Sequence, residues 1–343
     1  MANRDVLAIG TSAGGVEALL FLARHLPRDF PAAVLVTIDL PRHSPSLLDE
    51  VLSHAGPLPA AFALEGERLK KGHIYIAPPD RHLLLDGNDR LELGIGAREN
   101  NARPAIDPML RAAAICCGFR SVGVVLTGAM GDGASGLWAL HQCGGVTVVQ
   151  DPTDAAFAEM PLTALDRAAP DHVVPLAEMP ALLRNLAQQP AGEPVPAPRH
   201  TRYEVEIAKG RPSSMHDMDG LGRRSVLSCP DCGGVMWEID EDDVIRYRCH
   251  AGHTYAAELM SVALDDNLRR ALASALRTLE EREALMRKLH RQAIARGNRL
   301  LAENWAQKAQ EFERETKVMR ESIRRVDQLA ATSARAATEA AAE

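Results

Sequence analysis

Between residues 6 and 185, short unbroken runs of Val, Ile, Leu and Ala alternate with longer stretches in which apolar residues recur every three or four positions. An unbroken run suits a strand covered on both faces, and the wider spacing is the imprint of a helix with one buried face. Strands are predicted at Val6–Ile9, Ala33–Ile38, His73–Ala77, Val122–Leu126, Val146–Gln150 and His172–Val174. Helices are predicted over Gly15–His25, about Pro45–His54, about Ile106–Cys117 and about Ala134–Gln142, with one more between the last two strands. Leu83–Asp86 and Arg90–Leu93 flank Gly87-Asn88 as a hairpin. Continuous apolar strands separated by helices predict an α/β domain over residues 1–186, its parallel sheet covered on both faces.

Beyond it the pattern changes three times. Residues 187–226, with Pro194-Val195-Pro196-Ala197-Pro198, read as a Pro-rich linker, within which the alternation of Tyr203–Ile207 suggests a short strand. Residues 227–255 hold three cysteines and two histidines. From 256 to 343 run two long helical patterns joined near Gly297-Asn298. Leu268, Leu272, Ala275, Leu279, Met286 and Leu289 follow heptad spacing in the first, and Leu301, Trp305, Phe312, Met319, Ile323 and Val326 in the second. Heptads in both arms predict an α-helical hairpin paired on itself, with a homodimer through these helices as the other use of the same seam. The Ala-rich tail from Ala330 is expected to fray.

Charge and composition narrow the function. A net charge of -7 over 343 residues argues against a nucleic-acid surface or a polybasic membrane anchor. No apolar run approaches the roughly 20 residues that span a bilayer, and the start of the chain lacks signal-peptide features. A cytoplasmic protein without direct membrane insertion is expected.

The first chemistry lies in Gly10-Thr11-Ser12-Ala13-Gly14-Gly15, between a strand and a helix. This is the G-x-S-x-G pattern, in which a sharp turn presents a serine hydroxyl at the sheet edge and the helix N-terminus offers N–H groups to an oxyanion. A Ser N-cap or a small phosphate cradle would use the same residues.

Further segments follow in order: Tyr75-Ile76-Ala77-Pro78-Pro79-Asp80-Arg81-His82, Arg103-Pro104-Ala105-Ile106-Asp107, Leu126-Thr127-Gly128-Ala129-Met130-Gly131-Asp132-Gly133, Gly144-Gly145, Gln150-Asp151-Pro152 and Met160-Pro161. Together with the serine loop they resemble the methylesterase domain of the chemotaxis protein CheB. The resemblance implies a doubly wound, mainly parallel sheet and hydrolysis of glutamate methyl esters on chemoreceptors, with glutamine deamidation as a second activity. It implies methyl-accepting chemoreceptors as partners, with a receptor methyltransferase as a further one, and no cofactor for catalysis. Ser12 falls on the family's nucleophile and Asp132 on its acid. Asp39 occupies the position of the family histidine, and a carboxylate with an ordinary pKa near 4 is a weak base toward a serine hydroxyl. His43, four residues on, is the substitute base, with Asp132 or Asp39 behind it. Backbone N–H groups around residues 11–14 and 128–130 are expected to hold the oxyanion. The other reading is a degenerate signalling scaffold that binds receptor or methyltransferase without turnover. The family's receiver domain precedes the esterase; here the esterase pattern starts at residue 6, so direct control by aspartyl phosphorylation is not expected.

In Cys229-Pro230-Asp231-Cys232 and Cys249-His250-Ala251-Gly252-His253 two close pairs flank predicted strands at Val235–Glu238 and Val244–Arg248. Cys229, Cys232, Cys249 and His253 match a zinc-ribbon-like Cys3His site, with His250 as the competing fourth ligand. Four protein ligands make such a zinc structural. A similar tail accompanies some stand-alone CheB-like proteins.

Overall fold

A computed structural model describes residues 3–39, 46–211, 213–241 and 244–340. The first strand, β1 (Val6–Thr11), is buried at all six positions. Val6 and Ala8 enter one core while Leu7 and Ile9 enter another, so an unbroken apolar run serves two faces at once. After β1 come α1 (Gly15–His25), β2 (Ala33–Ile38), α2 (Leu48–Ala55), β3 (Ala60–Phe62) and β4 (Ile74–Ile76). A hairpin of β5 (His82–Leu85) and β6 (Leu91–Gly94) precedes α3 (Ile106–Cys117), β7 (Ser121–Val125), α4 (Ala134–Gln142), β8 (Val146–Gln150), α5 (Glu159–Ala168), β9 (His172–Val174) and α6 (Met179–Gln188).

Seven strands form one sheet in the order β3-β4-β2-β1-β7-β8-β9, and all its pairings are parallel. On one face α3, α4 and α5 deliver Leu110, Leu137 and Ala164, joined by Leu83 and Leu91 of the hairpin. On the other, α1, α2 and α6 deliver Leu19, Leu52 and Leu183. This is the doubly wound, mainly parallel α/β fold that the sequence implies. The unexpected β3 is a three-residue edge strand following Pro57 and Pro59, too short to leave a pattern.

The segment after α6 is where structure and expectation part. Tyr203–Ile207 is not a strand: it lies within helix α7 (Arg199–Ala208). Val205 and Ala208 pack on Leu84 and Ala112, while Tyr203 and Ile207 pack with Met218 and Trp237. A helix sandwiched between two neighbours buries two stripes, and together they mimic an alternation of two. A short helix, α8 (Met215–Asp219), follows, capped reciprocally by Ser214 and Asp217. Then β10 (Arg223–Ser228), β11 (Val235–Glu241), β12 (Val244–Cys249) and β13 (Thr254–Ala256) form a four-stranded sheet in sequence order. Met1–Leu259 is one compact unit and Met260–Glu343 a second. The boundaries expected after residues 186 and 226 therefore lie inside the first unit, that after 255 falls close to its end, and the stretch expected to be a linker carries α7, α8 and the start of β10.

The second unit is the helical hairpin, from within α9 (Ala257–Ala295) through α10 (Arg299–Ala340). Gly297, at φ +70°, and Asn298 donate back to the carbonyls of Ile294 and Ala293, and the Asn298 side chain caps the next helix through the Leu301 N–H. Across the seam Arg320 pairs with Glu280 at 2.7 Å, Arg287 with Glu313 at 3.3 Å, and the Arg282 guanidinium sits over the Phe312 ring. The two arms pair with one another, although Leu268 and Leu301 remain exposed.

One buried group carries a pH signature. His82 is fully buried; its Nε2 donates to the Ala97 carbonyl at 2.9 Å and its Nδ1 accepts from the Ala105 N–H at 3.3 Å. Burial holds this imidazole down to about 4. Below the ordinary histidine range the unfolded chain binds a proton that the native ring refuses, so stability is lost as pH falls. Its share of the loss should reach roughly 2–3 kcal/mol by about pH 4.5. Denaturant midpoints at pH 7 and pH 4.5 should show a smaller acid loss for His82→Gln than for the parent.

Candidate active site

The register of the three central strands assembles the site. Thr11 lies opposite Ile38 and Gly10 opposite Val125, so the next residues on each strand leave the sheet at the same edge. Those residues are Ser12, Asp39 and the loop Thr127–Asp132. The chain runs from β1 to β2 on one side and places β7, β8 and β9 on the other, so the edge beyond β1 is the switch point where ligands bind in such sheets. Ser12, Asp39, Asn100, Met130, Asp132 and Met160 line a small cleft there. Its water-accessible space is about 20 Å³, which is room for about one water.

The serine turn is held from below. The Ser12 N–H donates to the Thr127 carbonyl at 3.2 Å, and Thr11 Oγ1 donates to the same carbonyl at 2.8 Å. Gly14, at φ +73°, turns the chain into α1. At Gly128 a Cβ would stand 3.0 Å from Ser12 Cβ and 2.2 Å from Met160 Sδ, so only glycine lets that loop close on the serine. Ser12 Oγ has no hydrogen bond among the described residues. The N–H groups of Ala13 and Gly14, at the start of α1, are also without a partner there and are available to an oxyanion. Of the three N–H groups expected at 128–130, Gly128 N–H donates to the Phe157 carbonyl at 3.0 Å and Met130 N–H to Glu159 Oε2 at 2.9 Å, which leaves that of Ala129, at the cleft, without a partner among the described residues. An N–H spent on a carboxylate is not free for a substrate.

Asp132 sits in a tightly bonded cluster. Its Oδ2 accepts from the Ile106 N–H at 2.7 Å, and its Oδ1 from the Asp107 N–H at 3.1 Å and Asn100 Nδ2 at 3.0 Å. Asp107 answers in kind, its Oδ1 accepting from the N–H groups of Gly133 and Gly136 at 3.0 and 2.7 Å. Asn100 Nδ2 also donates to Asp107 Oδ2 at 3.0 Å, so one amide bridges two carboxylates. Burial and the adjoining Asp107 carboxylate push Asp132 well above the usual carboxylate range, against three hydrogen bonds that favour its charge. A cation brought beside it would pull it back down.

Asp39 stands at the cleft, in the position where the resemblance expects a histidine. His43 lies outside the described residues. The other histidines do other work: the His25 and His54 rings bond to carbonyls four residues earlier on their own helices, and His82 is the buried ring described above. The sequence did not single out Asn100 or assign a role to Asp107. The first lies outside every quoted motif and is held by Thr254 and Ala256, more than 150 positions away, whereas the second stood within a quoted motif.

The Cys/His cluster forms in the same compact unit. One donor atom from each of Cys229, Cys232, Cys249 and His253 falls within 4.8 Å of all the others, so the four can hold one metal ion. Tetrahedral zinc, with bonds of about 2.3 Å to sulfur and 2.0 Å to nitrogen, sets sulfur–sulfur edges near ~3.8 Å and sulfur–nitrogen edges near ~3.5 Å. Cys232 to Cys249 is 3.7 Å, and His253 Nδ1 lies 3.6 and 3.4 Å from Cys229 and Cys249. The donor set fits zinc. His253 Nε2 lies 3.9 Å from Asp231, which itself accepts from the Tyr255 hydroxyl at 2.6 Å, the kind of partner that orients a ligating imidazole. His250 is not among these ligands.

Comparison with known proteins places this architecture. The family model described as CheB methylesterase matches residues 7–183. A Leptospira interrogans protein is 34% identical over 186 residues, which cover 54% of this chain and 96% of its own. The protein-glutamate methylesterase/protein-glutamine glutaminase 3 of Myxococcus xanthus is 39% identical over 184 residues, 53% of this chain, and that of Geobacter metallireducens numbered 1 is 35% identical over 185. In each of these two the match spans 51% of the relative's length. The crystal structure of the Thermotoga maritima CheB methylesterase catalytic domain superposes with a TM-score of 0.52 at 31% identity, covering all of that chain and 54% of this one. Fold, ordered motifs and site lead to one conclusion: this chain belongs to the CheB methylesterase family.

Proposed function

We propose that this chain hydrolyses glutamate methyl esters on chemoreceptor-type proteins, and deamidates glutamines there, through an acyl-enzyme on Ser12. The observation that carries this reading is the Ser12 turn: a hydroxyl and the N–H groups of Ala13 and Gly14, all without a partner among the described residues, opening on a cleft shared with Asp39 and Asp132. Ser12 Oγ attacks the ester carbonyl, and those two N–H groups receive the charge that develops on its oxygen. The hydroxyl proton passes to His43, oriented by Asp39 or Asp132, and from there to departing methanol; water then releases the glutamate. Among the described residues no helix is long and apolar enough to cross a membrane.

A scaffold that binds receptor or methyltransferase without turnover is the second reading. Asp39 favours it, since a carboxylate stands where the family's base belongs. Methanol release from a methylated receptor by the purified chain separates the two. Ser12→Ala should lower the rate by about 1000-fold or more, and His43→Ala by at least about 100-fold. Turnover untouched by Ser12→Ala rejects the mechanism. Asp39→His should raise the rate by about 100-fold, the worth of a well-placed base, if the second reading holds and the cleft lacks one; no gain is the outcome expected where His43 already serves.

We further propose that the Cys3His cluster holds structural zinc. With four protein ligands the ion has no open position, so it supplies cohesion and no catalytic step. Metal analysis of undenatured protein should find about one zinc per chain, and Cys249→Ser should abolish it and lower Tm. A metal-free protein of unchanged Tm excludes the site.

A further inference from the structure

We propose that Asn100 is a positioning residue for Asp132, and that the strand following the metal ligand His253 in turn sets Asn100, so that the Cys3His sheet governs the geometry of the cleft. The inference rests on the reading of Ser12 and Asp132 given above. Asn100 is almost wholly buried, and its N–H and both polar atoms of its side chain are in use. Its N–H donates to the Thr254 carbonyl at 2.8 Å, and its Oδ1 accepts from the Ala256 N–H at 3.3 Å. Both partners belong to β13. Its Nδ2 donates to Asp132 and to Asp107.

No other residue type performs this set. Aspartate would bring a third carboxylate and no donor; serine has one donor where two carboxylates wait; glutamine would carry its amide one carbon too far. Asn100 and Asn101 also adopt φ values of +50° and +64°, a region that asparagine tolerates better than most residues. Such a turn needs outside support. β13 supplies it, and Glu99 adds to it by pairing with Arg248 of β12 and Arg111 of α3.

The support traces back to the metal ligands. Cys249 and His253 close a turn in which the Cys249 N–H donates to the His253 carbonyl at 3.0 Å, and β13 begins at the next residue. In the β12–β13 ladder Arg248, adjacent to Cys249, lies opposite Thr254. The path from ligand to acid is therefore Cys249 and His253, then Thr254 and Ala256, then Asn100, then Asp132. With the ligands apart, the turn at 98–102 loses its outer edge, and Asp132 loses the Asn100 side-chain donor that fixes it.

Hydrogen exchange on the full chain tests this without relying on turnover. The amides of Ile106 and Asp107, both bonded to Asp132, report on the clamp, and those of β8 report on the fold. Stripping zinc with phenanthroline should speed exchange at Ile106 and Asp107 by about tenfold or more while β8 stays protected. Asn100→Ala should do the same with zinc still bound, and stripping zinc from it should add little. In the ester assay Asn100→Ala should lower kcat by about tenfold or more with KM within about threefold. The proposal is overturned if stripping leaves Ile106 and Asp107 protected, if no zinc is bound to strip, or if kcat is unchanged in Asn100→Ala. Should stripping unfold β8 as well, Asn100→Ala decides alone. If the parent shows no Ser12-dependent turnover, the proposed function fails, and the exchange data still decide the clamp.

Discussion

Two helices in this fold begin without caps of their own, and each takes its cap from the other. The residue before α3 is Ala105 and the residue before α4 is Gly133, and neither offers a side-chain acceptor. Asp132, just ahead of α4, accepts the first N–H groups of α3, and Asp107, in the first turn of α3, accepts those of α4. Each cap is worth about 1 kcal/mol, and each carboxylate lies at the positive end of a helix dipole. The exchange fixes α3 and α4 against one another at the sheet edge where Ser12 emerges. It also forces two carboxylates together, which adds to the effect of burial in raising Asp132 above the usual carboxylate range. The constraint that secures the fold thus prepares an unusual acid at the cleft.

A second cluster of charge lies behind the first. Glu99 and Glu204 are buried among Arg111, Arg246 and Arg248, which come from α3 and β12, while Glu204 comes from α7. Nearby arginines hold both carboxyls well below the usual range despite the burial that opposes them. Buried ion pairs of this kind contribute little net stability over a well-packed apolar cluster, but they tolerate only one arrangement of their partners. The gain is orientation: the second sheet is keyed to α3, and through it to the residues around Asp132.

The serine turn, the parallel sheet and the switch point were legible because each rests on local signals: glycines about a serine, and apolar runs whose length suits a strand. Ser12 was marked by its glycine-flanked turn, and Asp39 and Asp132 by the ordered motifs that carry the family resemblance. Asn100 and Glu99 were not legible. They lie outside the quoted motifs, and part of their role is set by β12 and β13 far along the chain. The stretch around Tyr203 misled for a related reason. Its apolar residues serve two neighbours rather than one, and a pattern read in one dimension cannot distinguish two helical stripes from one strand face. Pro194, Pro196 and Pro198 read as part of a linker and gave no notice that the helix after them would be half buried.

The relation between descent and folding in this chain follows from α7. Similarity to the family ends at residue 183, but α3, well inside that region, presents Ala112 and Arg111 to α7 and meets Val205 and Glu204 there. A fragment cut at the edge of similarity would bare that apolar patch and leave an arginine evolved for the interior facing water. The stretch that the family model matches and the compact unit of this chain are therefore different lengths, because residues beyond 183 complete the interior over α3.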